Sequence, residues 1–328
     1  MDAKNIISKL KEQNLLGRGG AGFPTWQKWE MVKKANASKK YIICNGSEGE
    51  PGVFKDGFIL GNYLKDVVEG VKIALKIIDN SLAYFYLRED YYQKFKAKLE
   101  KLIKGFPIAI FQETGGYLAG EETTLINAIE GKKRLEPRIK PPFPPQSGLF
   151  GCPTLINNVE TFYYVSKIAK KEYKKTRFYS ISGEVKNKGV YEMPENYPIS
   201  EVLKKTSNYP GFDFFVQVGG GASGEILLKK ELSRSACGAG AIIIFDKKKT
   251  NPVSLMKKWA DFFAKENCDK CVPCREGIFR ISDMLKRGKI DKAQIEDIFF
   301  VLKETSFCAL GKSAAIPFES LLSKVYTF

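Results

Sequence analysis

Apolar and polar positions alternate in blocks along the first half of the chain. YIICN (Tyr41 to Asn45) is a short, continuous apolar run that predicts a buried strand. LAYFYL (Leu82 to Leu87) predicts a second strand, and FPIAIFQE (Phe106 to Glu113) a third. Between them, Asp56 to Ile78 carries apolar residues at helical spacing, and Tyr91 to Lys104 reads as a basic helix. GGYLAGEET (Gly115 to Thr123) turns into a helix over Thr123 to Ile129. A short helix, Lys4 to Gln13, and a glycine-rich loop, GRGGAGFPTWQKW (Gly17 to Trp29), precede the first strand. Strands alternating with helices predict a parallel sheet with crossover connections.

A proline-rich stretch, Pro137 to Pro153, interrupts the pattern and predicts an irregular, extended path. A second unit runs from about Arg177 to Asp246. It has strand signals at FYSISGEV, GVYEM, FDFFVQVGG and AIIIF and one short helix over Ile199 to Lys205, which predicts a small mixed α+β domain. The remainder predicts helices over Pro252 to Lys265, Arg275 to Lys286, Asp291 to Lys303 and Lys312 to Lys324, some of them separated by cysteine-bearing loops.

At ~150 residues per domain, 328 residues make two or three domains. The chain contains no histidine, which excludes an imidazole base, a Ser-His or Cys-His pair and a His-bound metal. No apolar run approaches the ~20 residues of a membrane span. The start lacks the apolar core and cleavage site of a signal peptide, so a cytoplasmic protein is expected. The net charge of +16 comes from lysines scattered along helices (Lys94, Lys96, Lys98, Lys101, Lys104) and short clusters such as Lys247 to Lys249. A solvated surface explains them; an anionic partner or steering of anionic cofactors is the alternative. Without an RNA-binding signature or zinc finger, no nucleic-acid partner is expected.

Cys268, Cys271, Cys274 and Cys308 form C-x2-C-x2-C-x33-C. Three thiols at three-residue intervals can face one centre from a tight loop, and the fourth arrives from a distant turn. Zinc sites more often use two separated knuckles, so the spacing favours a [4Fe–4S] cluster, with zinc and disulfides as alternatives. Pro273 stiffens the loop, and Arg275 can offset the thiolate charge. Cys44, Cys152 and Cys237 read as small buried hydrophobes.

The glycines from Gly17 to Gly22 let a backbone approach a phosphate or flat ring, but they do not form the dinucleotide fingerprint G-x-G-x-x-G after a strand. NGSEGEPGVFKD (Asn45 to Asp56) follows the first strand, and GGYLAGEET follows the third. Loops at the C-terminal ends of parallel strands are where α/β proteins hold ligands. Each loop carries paired acids, Glu48 with Glu50 and Glu121 with Glu122, which could accept from ribose hydroxyls and would repel an extra phosphate. Asn157 and Asn158 add amide groups suited to a flavin edge.

Taken together, GRGGAGFPT, EGEPGVFKD, YLAGEET, KPPFP, GLFGCPTLINNVETF, CVPCREG and CALG occur in an order that resembles one family. It is the NADH-binding flavoprotein subunit of respiratory complex I, with its relatives in NAD-reducing hydrogenases and formate dehydrogenases. The resemblance implies an α/β fold with three domains. A Rossmann-like FMN/NADH-binding domain (1–170) would be followed by a β-grasp soluble-ligand-binding domain (171–248) and a helical [4Fe–4S] domain (249–328). It places FMN against Gly17, Arg18, Gly19, Gly20, Lys28, Asn45, Ser47, Glu48, Tyr117, Gly120, Glu121, Asn157 and Asn158. It stacks NADH on Phe23 and Phe143, with Glu50, Glu122 and Lys140 around it and Glu50 near the nicotinamide. Cys268, Cys271, Cys274 and Cys308 match the cluster ligands. The implied chemistry is hydride transfer between NADH/NAD+ and FMN, then single-electron steps to the cluster. The implied partners are a small [2Fe–2S] thioredoxin-like subunit or further iron–sulfur subunits, in a peripheral arm without direct membrane insertion.

The chain departs from that family at Trp26-Gln27, at Ser47 in place of an aspartate, at Met31 in place of an aromatic and at Gly57 in place of an arginine. Two other readings therefore stand beside the first: an FMN/[4Fe–4S] relay exchanging electrons with proteins only, and a non-enzymatic assembly or zinc-bound subunit.

Overall fold

The apolar runs of the first half become the strands of a four-stranded parallel sheet in the computed structural model, which describes residues 5–326. Lys4, the start of the first predicted helix, lies outside the described residues, as do the other terminal residues of the first and third predicted domains. The contact pattern divides the chain into two units, Met1–Gly49 with Phe54–Thr176, and Glu50–Val53 with Arg177–Phe328.

The first unit begins with α1 (Ile6–Glu12) and α2 (Thr25–Lys34). It continues through β1 (Lys40–Gly46), α3 (Lys55–Ile77), β2 (Ser81–Leu87), α4 (Glu89–Ile103) and β3 (Ile108–Gln112). It closes with α5 (Glu122–Ile129), β4 (Thr154–Asn158) and α6 (Val159–Ala169). The strand order is β3-β2-β1-β4, with every pairing parallel. Parallel strands need cover on both faces, which is why Ile42, Ile43 and Cys44 on β1 are all fully buried.

Three elements here depart from the sequence reading. The predicted loop from Gly17 to Trp29 ends at Pro24, and α2 starts at Thr25 and buries Trp29 and Val32. The segment around Asn157 forms β4 and α6, neither of which the pattern distinguished from the proline-rich stretch before them. Asn158 caps α6, its side chain accepting from the Glu160 N–H, and nearly all of α6 is buried. A helix buried all round has no polar stripe to reveal its period.

The second unit contains β5 (Thr176–Gly183), β6 (Gly189–Pro194), α7 (Ile199–Lys205), β7 (Phe214–Gly219), β8 (Glu225–Leu228) and β9 (Ala241–Asp246). Its five-stranded sheet runs β6-β5-β9-β7-β8, with β5 and β9 parallel and β7 antiparallel to both neighbours. Tyr179, Val202, Leu203, Phe214 and Ile242 fill its core. The short strand β8 was not expected. The helices α8 (Pro252–Glu266), α9 (Val272–Arg287), α10 (Lys292–Thr305), α11 (Ala309–Ser313) and α12 (Ala315–Lys324) complete it, the last predicted helix being two. Asn251 and Asp291 cap α8 and α10, and Gly288 ends α9 in the left-handed conformation. The Ser320 hydroxyl on α12 accepts from the Ile226 N–H on β8 at 2.9 Å, and the Trp259 indole on α8 donates to Gly221 O at 2.9 Å. Among the described residues no helix is long and apolar enough to cross a membrane.

In the first unit α3 and α6 pack closely at Gly70, where a Cβ would lie 2.0 Å from the Phe162 carbonyl oxygen. Backbone cannot yield as a side chain does. Gly70→Ala should therefore destabilise the fold by about 3 kcal/mol, measured by denaturant unfolding.

Candidate functional site

The parallel register sets Asn45 beside Asn158 and Cys44 beside Asn157 at the C-terminal ends of β1 and β4. Each asparagine is fixed. The Asn45 amide donates to Gly120 O at 2.9 Å while its oxygen accepts from Ser47 N. The Trp29 indole donates to the Asn157 oxygen at 2.9 Å. The Asn158 oxygen accepts from Lys55 Nζ and Glu160 N, and its amide donates to Asp56. Sequence reasoning did not single out Trp29, Lys55, Asp56 or Glu160. The FKD of the second motif was the available signal for two of them.

Lys55 is 1% exposed and pairs with Asp56 at 2.6 Å and Glu160 at 3.0 Å. Burial opposes its charge, but Asp56, Glu160 and Glu48 hold its pKa above the ordinary value. Glu48 is buried too. Its carboxylate accepts from Asp56 N, Gly57 N and the Tyr91 hydroxyl, the last at 2.7 Å, and its carbonyl accepts from Arg88. Burial first, then the Asp56 carboxylate, push the Glu48 carboxyl up to about 7.

The glycine loop is pinned by two hydrogen bonds, Gly17 N to Phe23 O and Thr25 N to Leu15 O. Gly20 and Gly22 adopt positive φ. Gly19 lies over Asn158, where a Cβ would touch the asparagine side chain at 3.4 Å. The Arg18 side chain turns inward, donating to the Tyr173 hydroxyl and lying over Tyr164. Its backbone N–H donates to the Thr161 hydroxyl.

Beside this loop, Lys28 pairs with Glu122 at 2.9 Å, and Lys140 pairs with Glu121 at 2.8 Å and Glu122 at 3.1 Å. Burial raises the Glu122 carboxyl, but Lys28 and Lys140 outweigh it and hold the group below its ordinary value. Glu121 caps α5, one oxygen accepting from the N–H and hydroxyl groups of both Thr123 and Thr124. The two acids were read as members of an open loop; Glu121 is instead a helix cap and Glu122 the first residue of the helix. Phe23 and Phe143 are 39% and 51% exposed, leaving ring faces available for stacking.

The Ser47 hydroxyl is buried without a hydrogen-bond partner. A Cβ on Gly120 would lie 3.0 Å from it, and a Cβ on Gly49 would lie 2.9 Å from the Tyr117 Cα. An orphaned hydroxyl under glycines kept bare by close approach fits a ligand with polar atoms, as the ribityl chain and phosphate of FMN have.

Glu50 belongs with the second unit. Its carboxylate accepts from Ala222 N at 2.9 Å and Ser223 N at 3.0 Å, and Gly220 has no room for a Cβ beside it. A glycine-rich turn of that unit therefore orients the carboxylate that the sequence grouped with Glu122 and Lys140.

The cysteine motif occupies the start of α9 and the turn before α11. Cys271 caps α9, Cys274 lies in its first turn with Pro273 between them, and Cys308 caps α11. Burial, then the neighbouring thiols of Cys271, Cys308 and Cys268, raise the Cys274 thiol to about 12. Among the described residues no three His, Cys, Asp or Glu side chains are grouped closely enough for one metal ion. A polynuclear cluster, whose ligands bond to different iron atoms, takes thiols that stand further apart, and the donor set of four soft thiols suits it. Arg275 donates to the Asp269 carbonyl within the cysteine loop and to Glu276. Of the isolated cysteines only Cys44 is buried. Cys152 is half-buried and Cys237 is exposed, because it lies in the loop between β8 and β9 and not on a core strand.

Known proteins share both halves of this arrangement. Residues 10–167 match the Nuo51 FMN-binding domain, and residues 254–326 match the NADH-ubiquinone oxidoreductase-F iron-sulfur binding region. The second of the NADH-quinone oxidoreductase F subunits of Rhizobium meliloti (strain 1021) is 34% identical, over 97% of this chain and 86% of that protein. The F subunit of NADH-quinone oxidoreductase from Buchnera aphidicola subsp. Schizaphis graminum is 34% identical over 98% and 83%. Among solved structures, a chain of NAD+-reducing [NiFe]-hydrogenase in the H2-reduced state superposes with a TM-score of 0.91 at 30% identity. The match covers 98% of this chain, which spans 61% of the length of the hydrogenase chain.

Glu48 gives a pH prediction. Its folded pKa is raised from 4.5 to about 7, so across that window the folded state holds a proton that the unfolded state has released. Its contribution to stability is present below about 4.5 and is lost as pH rises through about 7. Glu48→Gln should flatten that part of the stability–pH curve in denaturant titrations.

Proposed function

Because the chain belongs to the family of NADH-quinone oxidoreductase F subunits, we infer that it is the flavoprotein subunit of a multisubunit redox complex, an NADH-linked oxidoreductase carrying FMN and a [4Fe–4S] cluster. The observation that carries this reading is the ring of fixed polar groups at the ends of β1 and β4, closed over by Gly120 and the buried Ser47 hydroxyl. FMN, when bound, accepts hydride from NADH and releases the electrons singly to the cluster.

The chain's own residues bind and orient. Asn45, Ser47, Glu48, Tyr117, Gly120, Asn157 and Asn158 would hold the flavin with the loop Gly17–Gly20. The side chains of Asn45, Glu48, Asn157 and Asn158 are held by hydrogen bonds before any ligand arrives, which limits the entropy lost on binding. Phe23 and Phe143 would sandwich the dinucleotide. Glu50, oriented by two backbone amides, is the proposed contact on the nicotinamide side. Glu122 is the proposed acceptor for a ribose hydroxyl. Lys28 and Lys140 already carry acid partners, so neither is a spare cation for the 2′-phosphate of NADPH. Cys268, Cys271, Cys274 and Cys308 would ligate the cluster. We divide the chain beyond the FMN/NADH-binding domain (1–170) into a β-grasp domain (171–248) and a cluster domain (249–328).

The proposed electron partner is a small [2Fe–2S] thioredoxin-like subunit or another iron–sulfur subunit, in a peripheral arm on the cytoplasmic side. Val272 and Phe307, each next to a cluster cysteine, are 59% and 58% exposed, and Phe279 and Phe300 on α9 and α10 are exposed as well. Large apolar side chains left in solvent beside a redox centre suit a docking face.

An anaerobic absorbance titration tests the reading. One equivalent of NADH should bleach the flavin, and NADPH should do so at least tenfold more slowly. A flavin bleached by dithionite but untouched by NADH would replace this reading with a protein-to-protein relay. Cys308→Ser should lose cluster iron and keep FMN, checked by metal and flavin analysis; unchanged iron would move the fourth ligand elsewhere.

A further inference from the structure

Ser306 ends α10 two residues before the fourth cysteine of the motif. It is 4% exposed, and its hydroxyl is buried without a hydrogen-bond partner. Its backbone N–H is satisfied by Leu302 O, so the orphan is the side chain alone. Buried hydroxyls almost always find partners, and one that has none points at a missing group. Gly311 locates that group. A Cβ there would fall 2.5 Å from the Ser306 Oγ and 3.3 Å from the Cys274 Cβ. The hydroxyl and the third cysteine therefore crowd the same face of Gly311, with Cys308 two residues beyond Ser306 along the chain. The chemistry nearby is sulfur, and a serine carries one O–H to donate to it.

We propose that Ser306 is a positioning residue that sets the reduction potential of the cluster by donating its O–H to a cluster sulfur or a ligand thiolate. The proposal rests on the [4Fe–4S] assignment above. A hydrogen bond to sulfur favours the reduced state, which carries one more negative charge, so it raises the potential. Gly311 is kept bare because any side chain there would displace the donor or the ligand.

The test is a redox titration of the purified complex followed by electron paramagnetic resonance of the reduced cluster. Ser306→Val should titrate at a lower potential than wild type, and Ser306→Thr, which has the same shape as the Val variant with the hydroxyl kept, should titrate with wild type. Iron content, FMN content and the flavin potential should be unchanged in both. An exchangeable-proton coupling to the cluster, seen by exchanging into D2O, should persist in the Thr variant and weaken in the Val variant. Thr and Val variants titrating together at full iron content would overturn the proposal. So would loss of iron in the Val variant alone, since the hydroxyl would then hold the cluster instead of tuning it. A wild-type chain lacking iron would instead overturn the cluster assignment.

Discussion

A single buried ammonium organises the strand ends. Lys55 on α3 pairs with Asp56 beside it and with Glu160 on α6, and donates to Asn158 at the tip of β4. An isolated buried charge is prohibitively costly, so the group is tolerable only while every partner stays in place. Losing Lys55 would leave Asp56 and Glu160 as buried carboxylates without their shared cation. That obligation fixes the two asparagine-bearing strands and the loop of Glu48, and through Gly19 resting on Asn158 it extends to the glycine loop. The site is therefore ordered by charge pairing beneath it and not by the ligand alone.

The four acids that look alike in sequence do four different things. Glu48 is buried under backbone N–H groups and a tyrosine hydroxyl, Glu121 caps a helix, Glu122 balances two lysines, and Glu50 is anchored to amides of a separate glycine-rich turn. Only their surroundings distinguish them. Neighbours decide whether a carboxylate is a scaffold, a proton reservoir or a ligand contact, and most of those neighbours are distant in the chain.

Much of the fold was legible because its strands are short apolar runs and its helices carry one apolar face. Tyr41 to Asn45, Leu82 to Leu87 and Ile199 to Lys205 all occupy elements close to the expected bounds. What stayed hidden was buried on all sides or masked by glycine and proline. β4 and α6 follow a proline-rich stretch and lack a polar stripe, and α2 begins behind Pro24 with no side-chain cap. For the site, motif order put forward the residues of the ring as candidates but not the hidden ion network, because Lys55 and Glu160 lie far apart in the chain and meet only in three dimensions. The cysteine spacing could suggest a cluster, but the orphaned hydroxyl of Ser306 is a property of packing that no spacing encodes.

Glu121 is gripped by four donors on one oxygen and by an ammonium on the other. A carboxylate so held cannot swing when charge arrives nearby. Its field is fixed in direction, so a flavin bound beside it, as proposed, would gain and lose electrons against surroundings that rearrange little, and the capping of one short helix would become a kinetic property of the site.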